Sequence, residues 1–443
     1  MKFVLKQDLF WRSNMEGFLN FIKESPTAFH AARNIKNVLI NNGYIELNES
    51  NKWELLPNGK YFIKRNSSSI LAFCLPNEIT NISYNITAAH LDSPTFKLKP
   101  NFKIDGKYIK LNTEVYGGPI YNTWMDRPLN IAGRLIVKDE KGFHEEIVSF
   151  DDAVCMIPNC SIHYYHELNK GVALNPQIDL LPLLTTDKDY DLLEALAKKY
   201  NINKEDIISH DLYLSLLDRG MLVGAKKEFI MAPQIDNLEC SYALLKSLLN
   251  SNPKNNSINV MVLFDNEEIG SRTRQGAGSM LLHDTLERIS LTLGFSYLEH
   301  KSFLASSFII SADNAQGYHP NYPQKYDPTN ASYMNEGIVI KNAARGSYTT
   351  DGLSLAYFEE ICKRSNSKYQ KNTNRSDVLG GSTLGAISLM NVSIPSVDIG
   401  LPQIAMHSAY ETAGRYDLED LIKAITLFYQ THLDIEYDSK FNF

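Results

Sequence analysis

The sequence is poor in cysteine, with five among 443 residues, and these five are scattered without Cys-x-x-Cys spacing. A disulfide framework and a cysteine-based zinc site are therefore not predicted. The chain also lacks an excess of basic residues, because 44 Lys and Arg stand against 51 Asp and Glu and give a formal charge of −7. An acidic chain offers no electrostatic footprint for nucleic acid or for anionic lipid.

Long hydrophobic runs are absent as well. No stretch of about 18 apolar residues occurs, so no membrane-spanning helix is predicted. The first twelve residues, MKFVLKQDLFWR, are interrupted by Lys6, Asp8 and Arg12 and contain no small-residue cleavage site, so they do not resemble a secretory signal. We expect a soluble, cytoplasmic protein. Its 44% apolar and 21% charged residues are typical of a globular chain of two or three domains, or of one α/β domain with an insertion.

The periodicity of apolar residues differs between two parts of the chain. Residues 1–93 and 235–443 alternate strand-like and helical segments, which predicts an α/β domain with a mixed or parallel sheet covered by helices. The strand-like segments are 71–76, 81–92, 258–264, 307–313, 336–342 and 394–400, and the helical ones include 14–43, 238–250 and 276–293. Residues 94–234 contain short strand-like pieces, many turns and one helical block near 189–201. They are predicted to form an inserted, mostly β domain.

Several polar residues follow directly after apolar strands, where open α/β sheets bind their ligands. In T-A-A-H-L-D, the predicted strand ends at His90, and Asp92 stands two residues further on. A carboxylate there can hold one imidazole nitrogen and orient the other toward a metal. Taken alone, however, a His-x-Asp pair is more often a structural pair.

Two adjacent glutamates, Glu267 and Glu268, follow the predicted strand 258–264 in FDNEEIGS. Neighbouring side chains leave the backbone in different directions, so one carboxylate can bind a metal while the other acts as a base toward water. The alternative is that both acids only complement the dipole of the following helix.

Three further residues have side chains of the metal-ligating type. Asp313 ends an apolar strand, Asp236 begins a helix, and His407 lies on an apolar flank four residues before Glu411. Helix capping would explain Asp236 by itself, and a core or capping role would explain His407. Together with His90 and Glu268, these residues are the ligand types of a dinuclear zinc site with one bridging carboxylate. Spacing alone does not show that they converge.

Nine segments of the chain, in this order, resemble the aspartyl aminopeptidase family of dinuclear zinc exopeptidases. They are SPTAFHAA, AAHLDSPTFKLKP, EVYGGPIYNTWMDRPLNIAGR, APQIDNL, FDNEEIGS, SADNAQGYHPNYPQKYD, GIVIKNAARGSYTTD, GGSTLG and VDIGLPQIAMHSAYE. The match covers nearly the whole chain. It implies a zinc-exopeptidase-like mixed sheet between helices, formed by residues 1–93 and 235–443, and a β-rich dimerisation domain at 94–234.

The resemblance also implies a role for each candidate residue. Asp236 would bridge two zinc ions, for which Co²⁺ or Mn²⁺ are possible substitutes. Glu267 would be the general base, and Asp92 would orient a histidine ligand. The remaining ligands would be His90 and Asp313 for one ion, and Glu268 and His407 for the other.

Substrate and assembly follow from the same resemblance. The substrates would be peptides with a free N-terminus, and Lys341 would pair with an acidic N-terminal side chain. The protein would form a homo-oligomer, a tetrahedral dodecamer, in which His163 reaches a neighbouring subunit's site and steadies the scissile carbonyl. The alternative for His163 is an ordinary surface histidine of a β domain.

Two positions depart from the family pattern: Gln316 stands where a histidine is common, and Gln234 where an arginine is frequent. Neither is an expected metal ligand, so they bear on substrate preference and local support. Three alternatives stay open at this stage. They are an aminopeptidase for neutral or apolar N-termini, a related dinuclear zinc amidohydrolase of N-acyl amino acids, and a metal-stabilised scaffold without catalysis. The scaffold has no need of Glu267 beside Glu268.

Overall fold

The computed structural model describes residues 14–218, 220–381 and 383–443. The segment MKFVLKQDLFWR lies outside these residues. A mixed sheet of nine strands organises the described part of the chain. In chain order, its strands are β1 (Ile45–Glu46), β2 (Lys60–Arg65), β3 (Ser69–Cys74), β4 (Ser83–His90), β13 (Ser257–Phe264), β14 (Phe308–Ala312), β16 (Ile338–Asn342), β17 (Tyr369–Thr373) and β18 (Ser396–Gly400). Their order across the sheet is β1-β2-β3-β13-β4-β14-β18-β16-β17, and β13, β4, β14 and β18 run parallel to one another at its centre.

Helices cover both faces of this sheet, which is why its central strands are buried on both sides. One face packs against α1 (Asn14–Glu24), α2 (Ala28–Asn41), α4 (Ile235–Asn250), α7 (Gly352–Arg364) and α9 (Asp417–Tyr429). The other face packs against α5 (Leu281–Thr292), α6 (Tyr297–Ala305) and α8 (Leu384–Ser388). The predicted mixed α/β class, with a sheet between helices, is confirmed.

A second, six-stranded antiparallel sheet has the order β8-β7-β10-β5-β6-β9 and a hydrophobic core of its own, to which α3 (Leu192–Tyr200) contributes. Its strands are β5 (Thr95–Ile104), β6 (Ile109–Tyr116), β7 (Asn130–Asp139), β8 (Gly142–Ser149), β9 (Leu183–Thr185) and β10 (Ile207–Ser215). All of these elements come from the segment 94–234. The division of the chain into two domains at 94 and 234 stays a prediction.

A five-stranded sheet joins residues from both parts of the chain, because β12 pairs with β20. Its strands are β11 (Met221–Val223), β12 (Phe229–Ala232), β15 (Ala315–Gln316), β19 (Pro402–Ile404) and β20 (Glu411–Gly414). A hairpin of β21 (Asp434–Glu436) and β22 (Lys440–Asn442) follows α9. Within the described residues, no helix has the length and apolar character needed to cross a bilayer.

One helical boundary agrees with a signal in the sequence and one differs. The helical pattern 14–43 contains Ser25-Pro26, which indicates a helix start, and the structure divides it there: α1 ends at Glu24 and α2 has Thr27 as its N-cap, because Pro26 disfavours helix at the residue before it. The predicted helix 276–293 begins only at Leu281. Before it, a Cβ on Gly276 would lie 2.6 Å from the backbone oxygen of Ser271, so the chain folds tightly there and is not helical.

Candidate metal centre

Four of the sequence-predicted residues lie where the central parallel strands end. His90 is the last residue of β4, Asp313 follows β14, and Glu267 and Glu268 lie in a 3₁₀ turn shortly after β13. Because the carboxyl ends of parallel strands meet at one edge of a sheet, these side chains gather there. The strand predicted to end at His90 does so.

Asp236 and His407 reach this edge from irregular backbone. Asp236 lies at the beginning of α4 but has φ −77° and ψ 108°, so its conformation is extended rather than helical. His407 lies between β19 and β20 with φ 68°, in the left-handed region that non-glycine residues seldom adopt. Both side chains face the other candidate ligands, and no periodicity in the sequence indicates this convergence.

The carboxylate of Asp236 stands between the two histidines. Its Oδ1 lies 3.5 Å from Nε2 of His90, and its Oδ2 lies 3.6 Å from Nε2 of His407. Nε2 of His90 is also 3.7 Å from Oδ1 of Asp313, and Nε2 of His407 is 3.4 Å from Oε2 of Glu268. The structure thus arranges the five side chains as two pairs around one shared carboxylate.

These separations suit a bound metal. Two tetrahedral ligands that are each about 2.0–2.2 Å from a zinc ion lie roughly 3.4 Å from one another. One ligand atom each from His90, Asp236 and Glu268 lies within 4.8 Å of the others. Moreover, Oδ1 of Asp236 and Oε1 of Glu268 are buried without a hydrogen-bond partner among residues 14–218, 220–381 and 383–443. Because an unpaired buried carboxylate oxygen is costly, and imidazole with carboxylate is a zinc-type donor set, the residues present fit this metal.

The electrostatics of the site reflect crowded carboxylates. The pKa of Glu267 is raised to about 8, mainly by burial and also by the charges of Asp313 and Asp92, while His90 acts to lower it. Burial also raises the pKa of Glu268 well above its usual value, and the charge of Asp236 adds to this. These carboxylates disfavour each other's ionisation, so a divalent cation among them would stabilise the charged forms.

The pKa shifts of His90 and of Asp236 favour the charged form of each group. Burial alone would lower the pKa of His90, but its contacts with Asp236 and Asp313 raise it well above the usual value. Burial alone would raise the pKa of Asp236, but His407 and His90 hold it below its usual value. Among Asp236, Glu267 and Glu268, Asp236 is therefore ionised most readily.

Asp92 contacts three parts of the site. Its Oδ1 accepts the backbone N–H of Glu267 at 3.0 Å, and its Oδ2 accepts that of Glu268 at 3.2 Å. The hydroxyl of Tyr116, in β6, donates to Oδ2 at 2.8 Å. Nδ1 of His90 is 3.1 Å from the backbone oxygen of Asp92 and 3.4 Å from its Oδ1. Asp92 thus contacts the imidazole of His90 and the main chain of both glutamates.

A pocket opens next to the candidate ligands, and Glu267 and Lys341 both line it. Nζ of Lys341 donates to the backbone oxygen of Asn314 at 2.9 Å, and the residue is 3% exposed. No carboxylate of the described residues makes an ion pair with this ammonium group. The remaining lining includes polar and apolar side chains, among them Gln316, Tyr348, Asn372, Asn374, Thr383 and Met406.

Three other positions named from the sequence are not among the candidate ligands. His163 is exposed in the loop between β8 and β9 and does not line the pocket of its own chain. Gln316 lines the pocket and its amide group contacts the sulfur of Met406 at 3.1 Å. Gln234 donates to the backbone oxygen of Pro26 at 3.5 Å.

Sequence reasoning did not identify two residues that support the site. Tyr116 comes from the six-stranded sheet, and its position in the sequence carries no signal of a contact with Asp92. Glu411 accepts hydrogen bonds from the backbone of Asp236 and of His407. Its spacing of four residues from His407 was the only available signal.

Comparisons with known proteins identify a family for this chain. The sequence profile of the family described as "Aminopeptidase I zinc metalloprotease (M18)" matches residues 21–429. A curated relative from Clostridium acetobutylicum, named "Probable M18 family aminopeptidase 2", is 43% identical over 421 residues, which cover 93% of this chain and 97% of that protein.

Solved structures are similar over almost the whole chain. The one described as "Cryo-EM structure of the Ape4 and Nbr1 complex" has a TM-score of 0.91 and 30% identity, and the match covers 94% of this chain and 85% of that one. A second, "Structure of S. cerevesiae mApe1 dodecamer", has a TM-score of 0.80 and 27% identity, with 94% of this chain and 96% of that one covered.

Proposed function

The chain belongs to the aminopeptidase I family of zinc metalloproteases (M18) and is a zinc-dependent aminopeptidase, and we propose that it holds two zinc ions and prefers peptides with an acidic N-terminal residue. The observation that carries the dinuclear part is the position of Asp236, whose two carboxylate oxygens each face a different histidine. A carboxylate that bridges two ions needs this arrangement.

The ligands divide into two sets. His90 and Asp313 would hold one ion, His407 and Glu268 the other, and Asp236 would bind both. Zinc supplies Lewis acidity, which polarises the scissile carbonyl and makes a water molecule more acidic. The open pocket beside the ligands leaves room for a substrate, as a catalytic zinc site requires.

Glu267 acts as the general base and then as the general acid. It lines the pocket beside the ligands but is not one of them, so its carboxylate is available to take a proton from the attacking water. The water oxygen bonds to the carbonyl carbon, the C–N bond breaks, and Glu267 returns the proton to the leaving amine. Asp92 keeps Glu267 in place through the backbone N–H of that residue.

Lys341 supports the acidic preference. Burial would lower the pKa of its ammonium group, but the nearby negative charges, that of Asp313 foremost, raise it, so the group stays charged. A buried ammonium that has no ion pair within the described part of the chain gains from a carboxylate that enters the pocket. An N-terminal Asp or Glu side chain brings such a carboxylate, whereas a neutral side chain does not.

The acidic surroundings also favour a free amine over an acylated one. Glu267, Asp313 and Glu268 line one pocket, and their negative charges attract a cationic α-amine. An N-acyl amino acid lacks this charge, so the amidohydrolase alternative has less support than the aminopeptidase.

Assembly and location extend the proposal to the whole protein. We propose a homo-oligomer, a tetrahedral dodecamer, because the similar S. cerevesiae protein is described as a dodecamer. The loop that carries His163 exposes Ile162 and Tyr164, whose relative exposures are 42% and 90%, and these apolar side chains suit a contact between copies. His163 would then reach the site of a neighbouring subunit. A cytoplasmic location stays a prediction.

One experiment tests the proposed function. Zinc, cobalt and manganese are counted by elemental analysis on the same sample that is assayed for release of N-terminal Asp, Glu and Leu from short peptides, before and after chelation. Two ions per chain, together with chelator-sensitive release of Asp or Glu in preference to Leu, are expected. One ion per chain would contradict the dinuclear centre, and faster release of Leu would contradict the acidic preference. N-acylated peptides serve as the control and should not be cleaved.

A further inference from the structure

Glu411 connects two candidate metal ligands that come from different elements. It is the first residue of β20, and 2% of it is exposed. Its Oε2 accepts the backbone N–H of Asp236 at 2.9 Å, and its Oε1 accepts the backbone N–H of His407 at 2.6 Å. One buried carboxylate therefore fixes the main chain at both residues.

Both main-chain segments depend on an acceptor of this kind. Asp236 is extended at the beginning of α4, and His407 has a left-handed φ of 68°, so neither is part of a regular helix or strand conformation. A buried backbone N–H outside regular structure needs an acceptor from elsewhere. Glu411 provides one for each residue, and in doing so sets the position of one ligand relative to the other.

We propose that Glu411 is a positioning residue that builds the second metal site, the one formed by His407, Glu268 and Oδ2 of Asp236. The inference rests on the proposed dinuclear function. Because Glu411 uses both of its oxygens to bind main-chain N–H groups, it acts through the two ligands and is not itself one of them.

The chemistry of the contact requires two acceptors. A glutamine at this position has nearly the same size but only one acceptor oxygen, and its NH₂ group would face one of the two N–H donors. Glu411→Gln therefore breaks one of the two contacts and releases Asp236 or His407. The ends of β4 and β14 hold His90 and Asp313 independently of Glu411, so the first metal site keeps its two terminal ligands.

Asp417 offers a matched control within the same chain. It is the first residue of α9 and is 1% exposed, and its Oδ1 and Oδ2 accept the backbone N–H groups of Gly337 at 2.8 Å and of Asn335 at 2.7 Å. The same device thus occurs away from the candidate ligands. Asp417→Asn should disturb local structure to a similar degree without a specific effect on metal binding.

The experiment counts zinc and measures its affinity in the full-length protein. Wild type, Glu411→Gln and Asp417→Asn are stripped of metal and titrated with zinc against a chromophoric chelator, and their zinc content is checked by elemental analysis. We expect two ions for the wild type and for Asp417→Asn. For Glu411→Gln we expect the second ion to be lost or bound at least 10-fold more weakly, and the first ion, which shares only Asp236 with this contact, to lose less affinity than the second.

The outcomes separate this inference from the proposed function. Two ions with wild-type affinities in Glu411→Gln overturn the role of Glu411 and leave the dinuclear centre intact. Fewer than two ions in the wild type overturn the dinuclear centre, and this role with it. An equal loss of zinc in Asp417→Asn also overturns the role, because it would show a general effect of destabilisation.

A second variant covers the case in which Glu411→Gln does not fold. Glu411→Asp keeps the charge and both acceptor oxygens but is one methylene shorter, so it cannot reach both N–H groups at once. The same selective loss of the second zinc ion is expected, and unchanged binding of both ions would overturn the proposal.

Discussion

At the scale of single residues, the site assigns different tasks to chemically similar groups through their contacts. Glu267 and Glu268 are neighbours in sequence, and Asp92 accepts a backbone N–H from each. The carboxylate of Glu268 lies 3.4 Å from His407, among the ligand atoms. The carboxylate of Glu267 lines the pocket without being one of the proposed ligands. Substitution of each glutamate should therefore have a different consequence.

The first prediction concerns the general base. Glu267→Gln should lower kcat by about 10²–10⁴-fold, because the amide cannot take the proton from water. Zinc content should stay at the wild-type level. Glu268→Gln is the matched comparison and should lose zinc as well as activity. Wild-type turnover in Glu267→Gln, measured by peptide hydrolysis, would contradict the assignment of the base.

The second prediction concerns specificity. Lys341→Met should lower kcat/KM for peptides with N-terminal Asp or Glu by about 10–100-fold, since a hydrogen bond to a charged group contributes about 1.5–3 kcal/mol. Hydrolysis of an N-terminal Leu peptide, which lacks the carboxylate, is the internal control and should change little. An unchanged ratio of Asp to Leu hydrolysis would rule out the pairing.

At the scale of elements, irregular connections hold the functional residues and regular strands fix where those connections begin. The beginning of α2 illustrates how burial at such a junction affects stability. His30, in its first turn, is buried, and its Nδ1 lies 2.9 Å from the hydroxyl oxygen of Thr27. Its Nε2 has no hydrogen-bond partner among the residues that the structure describes. Burial, with a further contribution from Arg33, lowers the pKa of His30 to about 3.

The third prediction is a dependence of stability on pH. Because the pKa of His30 is lower in the folded than in the unfolded chain, the unfolded chain binds the proton first. The contribution of neutral His30 to the free energy of unfolding is complete above the unfolded pKa of about 6.5, and it is lost progressively as the pH falls toward 3. From pH 7 to pH 5, the free energy of unfolding of the wild type should fall by about 2 kcal/mol more than that of His30→Gln. Denaturant titrations at both pH values measure this, and equal pH dependence of the two proteins would contradict it.

At the scale of the whole molecule, the centre joins parts of the chain that are far apart in sequence. Residues 90 and 407 meet around Asp236, and Tyr116 of the six-stranded sheet donates to Asp92 beside them. Bound zinc would therefore connect the edge of the central sheet with α4 and with the loop between β19 and β20. A ligand that binds only the folded state stabilises that state.

The fourth prediction follows from this linkage. Chelation should lower the Tm of the protein, and added zinc should restore it. A ligand present at 1,000 times its Kd stabilises the folded state by about 4 kcal/mol. Calorimetry with and without chelator measures the shift. In Asp236→Asn, which weakens the shared ligand, the dependence of Tm on zinc should be much smaller; a wild-type Tm that does not respond to chelator would contradict the linkage.

Much of this protein follows from its sequence. The alternation of apolar segments indicated the α/β class because a two-sided sheet requires apolar strands and amphipathic helices. The strand that ends at His90 placed that residue at the ligand-binding edge. The adjacent Glu267 and Glu268, and the order of nine segments, indicated a zinc aminopeptidase.

Only the tertiary structure decided which side chains meet and at what distance. Convergence of His90, Asp236 and His407 depends on long-range packing and on irregular backbone at two of these residues, which no periodicity encodes. The same is true of Glu411, whose importance lies in two main-chain contacts, and of Tyr116, which reaches the site from another sheet. That Lys341 has no ion pair with any described residue is likewise a property of its surroundings. Local sequence specifies which groups a chain carries, whereas their energetic environment is created by segments brought together from the rest of the chain.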